Sequence, residues 1–141
     1  MPWNRALYGE KIMNNMTWHC QLIINNDENS YDEVQCLVNH VMHKIYHDRH
    51  GQPYSDQRKI RTYILAQFIR AYVEEITDAE GERFNNPMAR ELICGALQEI
   101  SFREIAEDLI GDYSPKSPEE IAEREEYFNI RGFANYDIDE D

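Results

Sequence analysis

Four of the five histidines fall in one stretch together with a cysteine: Cys36, His40, His43, His47 and His50, at successive spacings of 4, 3, 4 and 3. On an α-helix, which turns about 100° per residue, these five side chains lie within about 40° of one line. Neutral imidazole and thiolate are good ligands for zinc and related ions, and helical neighbours three or four apart can share one. One reading is therefore a metal-binding protein whose cofactor, zinc or a similar ion, sits on these five residues. The sequence also limits that reading. Lys44 stands where a zinc peptidase places a glutamate beside its first histidine, and only His19 and Cys20 remain as further ligands of these types upstream of the stripe. The same stripe suits a solvent-facing side or a contact with a partner, where imidazoles that titrate near neutrality would make the contact pH-sensitive.

The second set with chemical character is acidic. Glu104, Glu107, Asp108 and Asp112 recur near helical spacing, and Glu119, Glu120, Glu123 and Glu126 do so again. The net charge of −13 is uneven: −3 over residues 1–80 (8 basic, 11 acidic) and −10 over residues 81–141 (6 basic, 16 acidic). A chain this acidic is repelled by nucleic acid and by anionic membranes, so direct binding to either is not expected. Carboxylates displayed on rigid helices can instead imitate phosphates and be steered onto the basic groove of a nucleic-acid-binding protein. The basic residues concentrate only at Arg58-Lys59-Arg61, with Arg70 further on, and internal pairing with the acidic C-terminal half is their expected use.

No G-x-G-x-x-G, P-loop, G-x-S-x-G or H-E-x-x-H pattern occurs, so nothing indicates an enzyme, and no catalytic residue is assigned. Gly95 reads as a close-packing position within a helix rather than a phosphate cradle. Cys20, Cys36 and Cys94 are odd in number and widely spaced, which points to free structural thiols in a reducing compartment. The longest apolar runs are too short to span a bilayer, and the first residues lack the apolar core of a signal peptide. A cytoplasmic location is the expectation.

The segment Met88-Ala89-Arg90-Glu91-Leu92-Ile93, with Ala96 to Ile100 and Phe102 to Glu107 after it, resembles small uncharacterised proteins carried by phages and plasmids. The resemblance covers residues 88–110. It implies an accessory protein of a mobile element, acting in the host cytoplasm, and small acidic proteins of that origin often inhibit host defence nucleases. It implies no fold and no active site.

These side chains need elements to carry them. Residues 17–24 alternate in apolar character and read as a strand, with Trp18, Cys20, Leu22 and Ile24 on one face. A lone strand needs a partner, either residues 6–13 or another chain. Ser30 and Glu33 form a capping-box pattern opening a helix over 31–50, with Val34, Leu37, Val38, Val41, Met42 and Ile45 as its apolar face and Gly51 and Pro53 as its stop. Ser55 would cap a second helix ending near residue 78. Asn86-Pro87, Ser101 with Glu104, and Ser117-Pro118 mark three more starts. From residue 129 the pattern fades into an acidic end that reads as frayed. The fold expected is mainly α, with α+β also open: a compact bundle of about five helices plus one short N-terminal strand or hairpin, with residues 1–128 globular and 129–141 a tail. The function expected is a non-enzymatic, cofactor-free acidic binding protein of the anti-CRISPR or anti-restriction type. It would present Glu104, Glu107, Asp108, Asp112, Glu119, Glu120, Glu123 and Glu126 to a protein partner with a basic surface. A self-association module, such as a homodimer, is a further alternative.

Overall fold

Asn14 decides the first element. Its side-chain oxygen accepts from the Thr17 amide at 2.8 Å, and a helix follows over Asn15–Asn26 (α1). The expected strand over 17–24 is therefore a helix. A short apolar run satisfies both periods, and here burial follows the helical one: Thr17 and Ile24 are buried and Cys20 half-buried, while Leu22 and Ile23 face outward. The proposed strand partner at residues 6–13 lies outside the residues that the computed structural model describes, which are 14–77 and 86–140. No strand occurs among them, and the sole pairing of that kind is an isolated bridge between His47 and Pro53.

Asp27, not Ser30, caps the next helix, Glu28–Met42 (α2): its carboxylate accepts from the Ser30 amide at 3.0 Å, and Ser30 is itself buried one turn in. The apolar face of α2 is as expected, with Val34, Leu37, Val38 and Val41 all buried, but the helix stops at Met42 rather than near residue 50. Its end is set by tertiary contacts. Tyr46 is buried, and the Gln57 side chain accepts from its amide at 2.9 Å and donates to its carbonyl at 2.9 Å. Arg61 donates to the Lys44 carbonyl at 2.9 Å. These side chains supply the hydrogen bonds that another helical turn would have supplied, and they release Tyr46 into the core. Ile45, expected on the apolar face, is exposed.

Gln57–Thr77 (α3) lies at the centre and buries Ile64, Leu65, Phe68, Ile69, Tyr72 and Val73. Asp56 rather than Ser55 closes its first turn, accepting from the Lys59 amide at 3.0 Å. Three helices begin where the sequence places them: Pro87–Gln98 (α4), capped by Asn86, Phe102–Gly111 (α5), capped by Ser101, and Pro118–Arg131 (α6), capped by Ser117. At Ser101 the expected reciprocal bond from Glu104 is replaced: the Ser101 amide donates to Thr17 Oγ1 at 2.7 Å, tying α5 to α1. α3 packs against α5, α2 against α6 and α3, and α1 against α2 and α5. α4 buries no residue fully, and among the described residues nothing stands within 4 Å of where a Cβ on Gly95 would lie, so the expected close packing is not seen there.

The C-terminal stretch is not frayed as far as it is described. Gly132 ends α6 at φ 86°, in the left-handed conformation that glycine adopts without strain. That turn sends Phe133 into the core, fully buried. Beyond it, Asp139 and Gln67 exchange two hydrogen bonds of 2.8 and 2.7 Å, and Lys44 pairs with Glu140 at 3.2 Å.

Candidate functional site

α6 is held from two sides. On one, Phe128 is buried against His40 of α2, ring on ring at 3.8 Å, and against Phe68 and Phe133 edge-on or tilted. On the other, Arg131 donates to Glu33 of α2 at 2.6 Å and also bonds Glu75 of α3. The Glu33 carboxylate accepts in addition from the hydroxyls of Tyr72 (2.9 Å) and Tyr127 (3.1 Å), and that of Glu75 from Tyr136 (3.0 Å). The Arg131 guanidinium holds the Glu75 carboxyl below the ordinary carboxylate range, and the two carboxylates in turn hold Arg131 charged. Burial pushes the Tyr72 phenol up to about 12. α6 is thereby a rigid platform.

The eight carboxylates singled out above separate on this scaffold. Asp112, Glu119, Glu123 and Glu126 are exposed, and among the described residues none of the four has an ion-pair partner. Glu120 pairs with Arg124 at 2.9 Å and Glu107 with Arg103 at 3.8 Å. Asp108 accepts from Gln21 of α1 at 3.0 Å. Glu104 is half-buried, one of its carboxylate oxygens enclosed without a hydrogen-bond partner. The two runs therefore have different neighbourhoods: Asp108 bonds α1 and Glu107 lines a groove with α3, whereas Glu123 lines a cleft between α2 and α6. That cleft, of about 520 Å³, is shared by Asp32, Glu33, Cys36, Arg124 and Tyr127. Glu33 was legible only as a cap residue and Asp32 carried no role, because nothing in sequence spacing shows which helix lies opposite α6.

The cluster Arg58-Lys59-Arg61 and Arg70 does not neutralise this surface. Arg61 bonds the Lys44 carbonyl, Arg70 pairs with Glu74 at 3.5 Å within its own helix, and no ion pair engages Arg58 or Lys59 among the described residues.

The histidine stripe is interrupted by the end of α2. Cys36 is buried, and burial pushes its thiol up to about 11. His40 stacks on Phe128 and its Nδ1 meets the Glu125 carboxylate at 3.0 Å. His43 closes the helix, its Nε2 2.6 Å from the Tyr113 hydroxyl. His47 and His50 lie beyond it in the bridged loop that turns at Gly51. Among the described residues no three His, Cys, Asp or Glu side chains are grouped to hold a metal ion. At pH 8 native Cys36, and Cys20, whose thiol is likewise raised to about 11, should alkylate about a hundredfold more slowly than the unfolded chain. Iodoacetamide labelling followed by peptide mass spectrometry reads this; native labelling at the unfolded rate would show the thiols to be accessible.

Neither a protein-family model, nor a curated protein, nor a solved structure matches the chain. No helix among the described residues is long and apolar enough to cross a membrane.

Proposed function

We propose that the protein is an acidic binding protein whose α6 docks on a basic, nucleic-acid-binding surface of a protein partner, in the manner of an anti-CRISPR or anti-restriction inhibitor encoded by a mobile element. The observation that carries this reading is the stripe Glu119, Glu123 and Glu126, exposed and, among the described residues, without an ion pair, on a helix anchored by Phe128 and Arg131. Along the helix axis the three carboxylates are separated by about 6 and 4.5 Å, the same order as the rise of about 3.4 Å per phosphate along a nucleic-acid strand. Asp32, exposed on the other wall of the cleft, widens the negative field. Such a surface steers encounter over a Debye length and loses strength as salt screens it.

The test is affinity capture of such a partner by wild type and by a Glu119→Lys, Glu123→Lys, Glu126→Lys variant, each at low and high salt. Wild-type binding should weaken at least tenfold between about 0.05 and 0.3 M salt, and the variant should bind at least tenfold more weakly at low salt. Binding indifferent both to salt and to these three charges would defeat the reading.

A further inference from the structure

Against a net charge of −13, the first turns of α3 carry a groove walled by cations. Arg58 and Lys59 of α3 and Arg103 of α5 line a cavity of about 570 Å³, within the range of small-molecule sites, about 300–1,000 Å³. A second recess of about 430 Å³, walled by Tyr54 and Ile60, adjoins it, since Asp56, Lys59 and Tyr63 line both. The groove thus has a cationic end and an aromatic end.

The cations are positioned and only in part neutralised. Arg58 reaches across to the last residue of α5, where a Cβ built on Gly111 would stand 3.5 Å from its guanidinium nitrogen. The C-terminal carbonyls of a helix favour a cation there. Arg58 and Lys59 are exposed and, among the described residues, without an ion pair. Arg103 pairs with Glu107, itself a lining residue, at 3.8 Å. Two carboxylates, Asp56 and Glu107, line the groove with the three cations, which leaves one positive charge in excess; Asp56 is engaged in capping α3, and outside the lining Asp139 accepts from the Tyr63 hydroxyl at 3.5 Å. Three cations against two carboxylates leave the groove with room for one further negative charge. Guanidinium and ammonium groups recognise phosphate, and the exposed Tyr63 ring with the half-buried Tyr54 ring can seat a planar ring.

We propose that this groove binds a mononucleotide-like ligand, a phosphate monoester bearing a planar ring, with the phosphate held by Arg58, Lys59 and Arg103 and the ring seated against Tyr54, Ile60 and Tyr63. The site is separate from the α6 surface, so either can fail without the other.

The experiment is a titration of the full chain, followed by amide chemical shifts, with adenosine monophosphate as probe and inorganic phosphate and adenosine as separate arms. The monophosphate should saturate below about 1 mM and shift amides in 54–66 and 103–111, and each fragment should bind at least tenfold more weakly. An Arg58→Ser, Lys59→Ser variant, altered only at exposed positions and checked for wild-type circular dichroism, should lose at least tenfold in affinity. No saturation by the monophosphate, phosphate or adenosine binding as tightly as the whole, or wild-type affinity in the variant would each overturn the assignment.

Discussion

Phe128→Ala should destabilise the protein by about 3–5 kcal/mol, the usual cost of deleting a buried aromatic ring. Total stability for a domain of this size is about 5–15 kcal/mol, so the variant should sit close to its unfolding transition. The reason is particular to the site. Phe128 is the one fully buried side chain of α6, and it stacks on His40 while meeting Phe68 and Phe133, so its loss opens a void shared by α2, α3 and the turn after α6. Two residues along, Ile130 is exposed, and Ile130→Ala should change stability by less than about 0.5 kcal/mol. Urea denaturation of both variants makes the comparison. Equal, small losses would mean that α6 is not anchored through this ring.

Arg131→Met should cost about 2 kcal/mol, between the value of an exposed ion pair and that of a fully buried one, since Glu33 is largely covered and Glu75 only partly. The substitution keeps an apolar side chain of similar length but removes the guanidinium, whose carbon lies 4.8 Å from the Phe133 ring centre, and leaves two carboxylates facing each other uncompensated. The loss has a pH signature. The folded-state pKa of Glu75 lies below its ordinary value, chiefly through the hydrogen bond from Arg131. A carboxyl lowered in this way adds stability that is complete above its unfolded pKa and disappears as pH falls through the folded one. The difference between wild type and Arg131→Met should therefore be full near pH 7 and shrink below about pH 4. Denaturation at several pH values reads this directly, and a constant difference down to pH 3 would show that Arg131 acts by packing rather than by charge.

The parts of the fold that were legible in sequence are those set by local chemistry. Asn86-Pro87, Ser101 and Ser117-Pro118 open helices because a short polar side chain satisfies first-turn amides wherever it stands. The apolar face of α2 was equally plain, because four residues at helical spacing leave one way to bury them. What failed depended on partners remote in sequence. The end of α2 follows from Gln57 and Arg61 taking over backbone groups near Tyr46, so the five-residue histidine stripe, continuous on paper, breaks after His43. Residues 17–24 fit a strand and a helix alike; Asn14 opens the helix, and the contact that ties it into the fold, the Thr17 hydroxyl accepting from Ser101, comes from 84 positions away. The end of the chain seemed patternless because its ordering comes from single aromatics, Phe133 and Tyr136, and from Gln67 on α3. Of the acidic set, spacing found the outward stripe of α6 but could not separate it from Asp108, which bonds α1, and Glu104, which is half-buried.

The central claim is that the outward carboxylates of α6 take the place of nucleic acid on a basic surface, and competition tests it most directly. With a partner captured by the protein and held at about 0.1 M salt, where electrostatics is not yet screened out, duplex DNA or RNA is added in increasing amounts. The account predicts mutually exclusive binding: nucleic acid releases the protein, and the protein releases nucleic acid, while the Glu119→Lys, Glu123→Lys, Glu126→Lys variant releases none. A ternary complex in which partner, protein and nucleic acid persist together would contradict it.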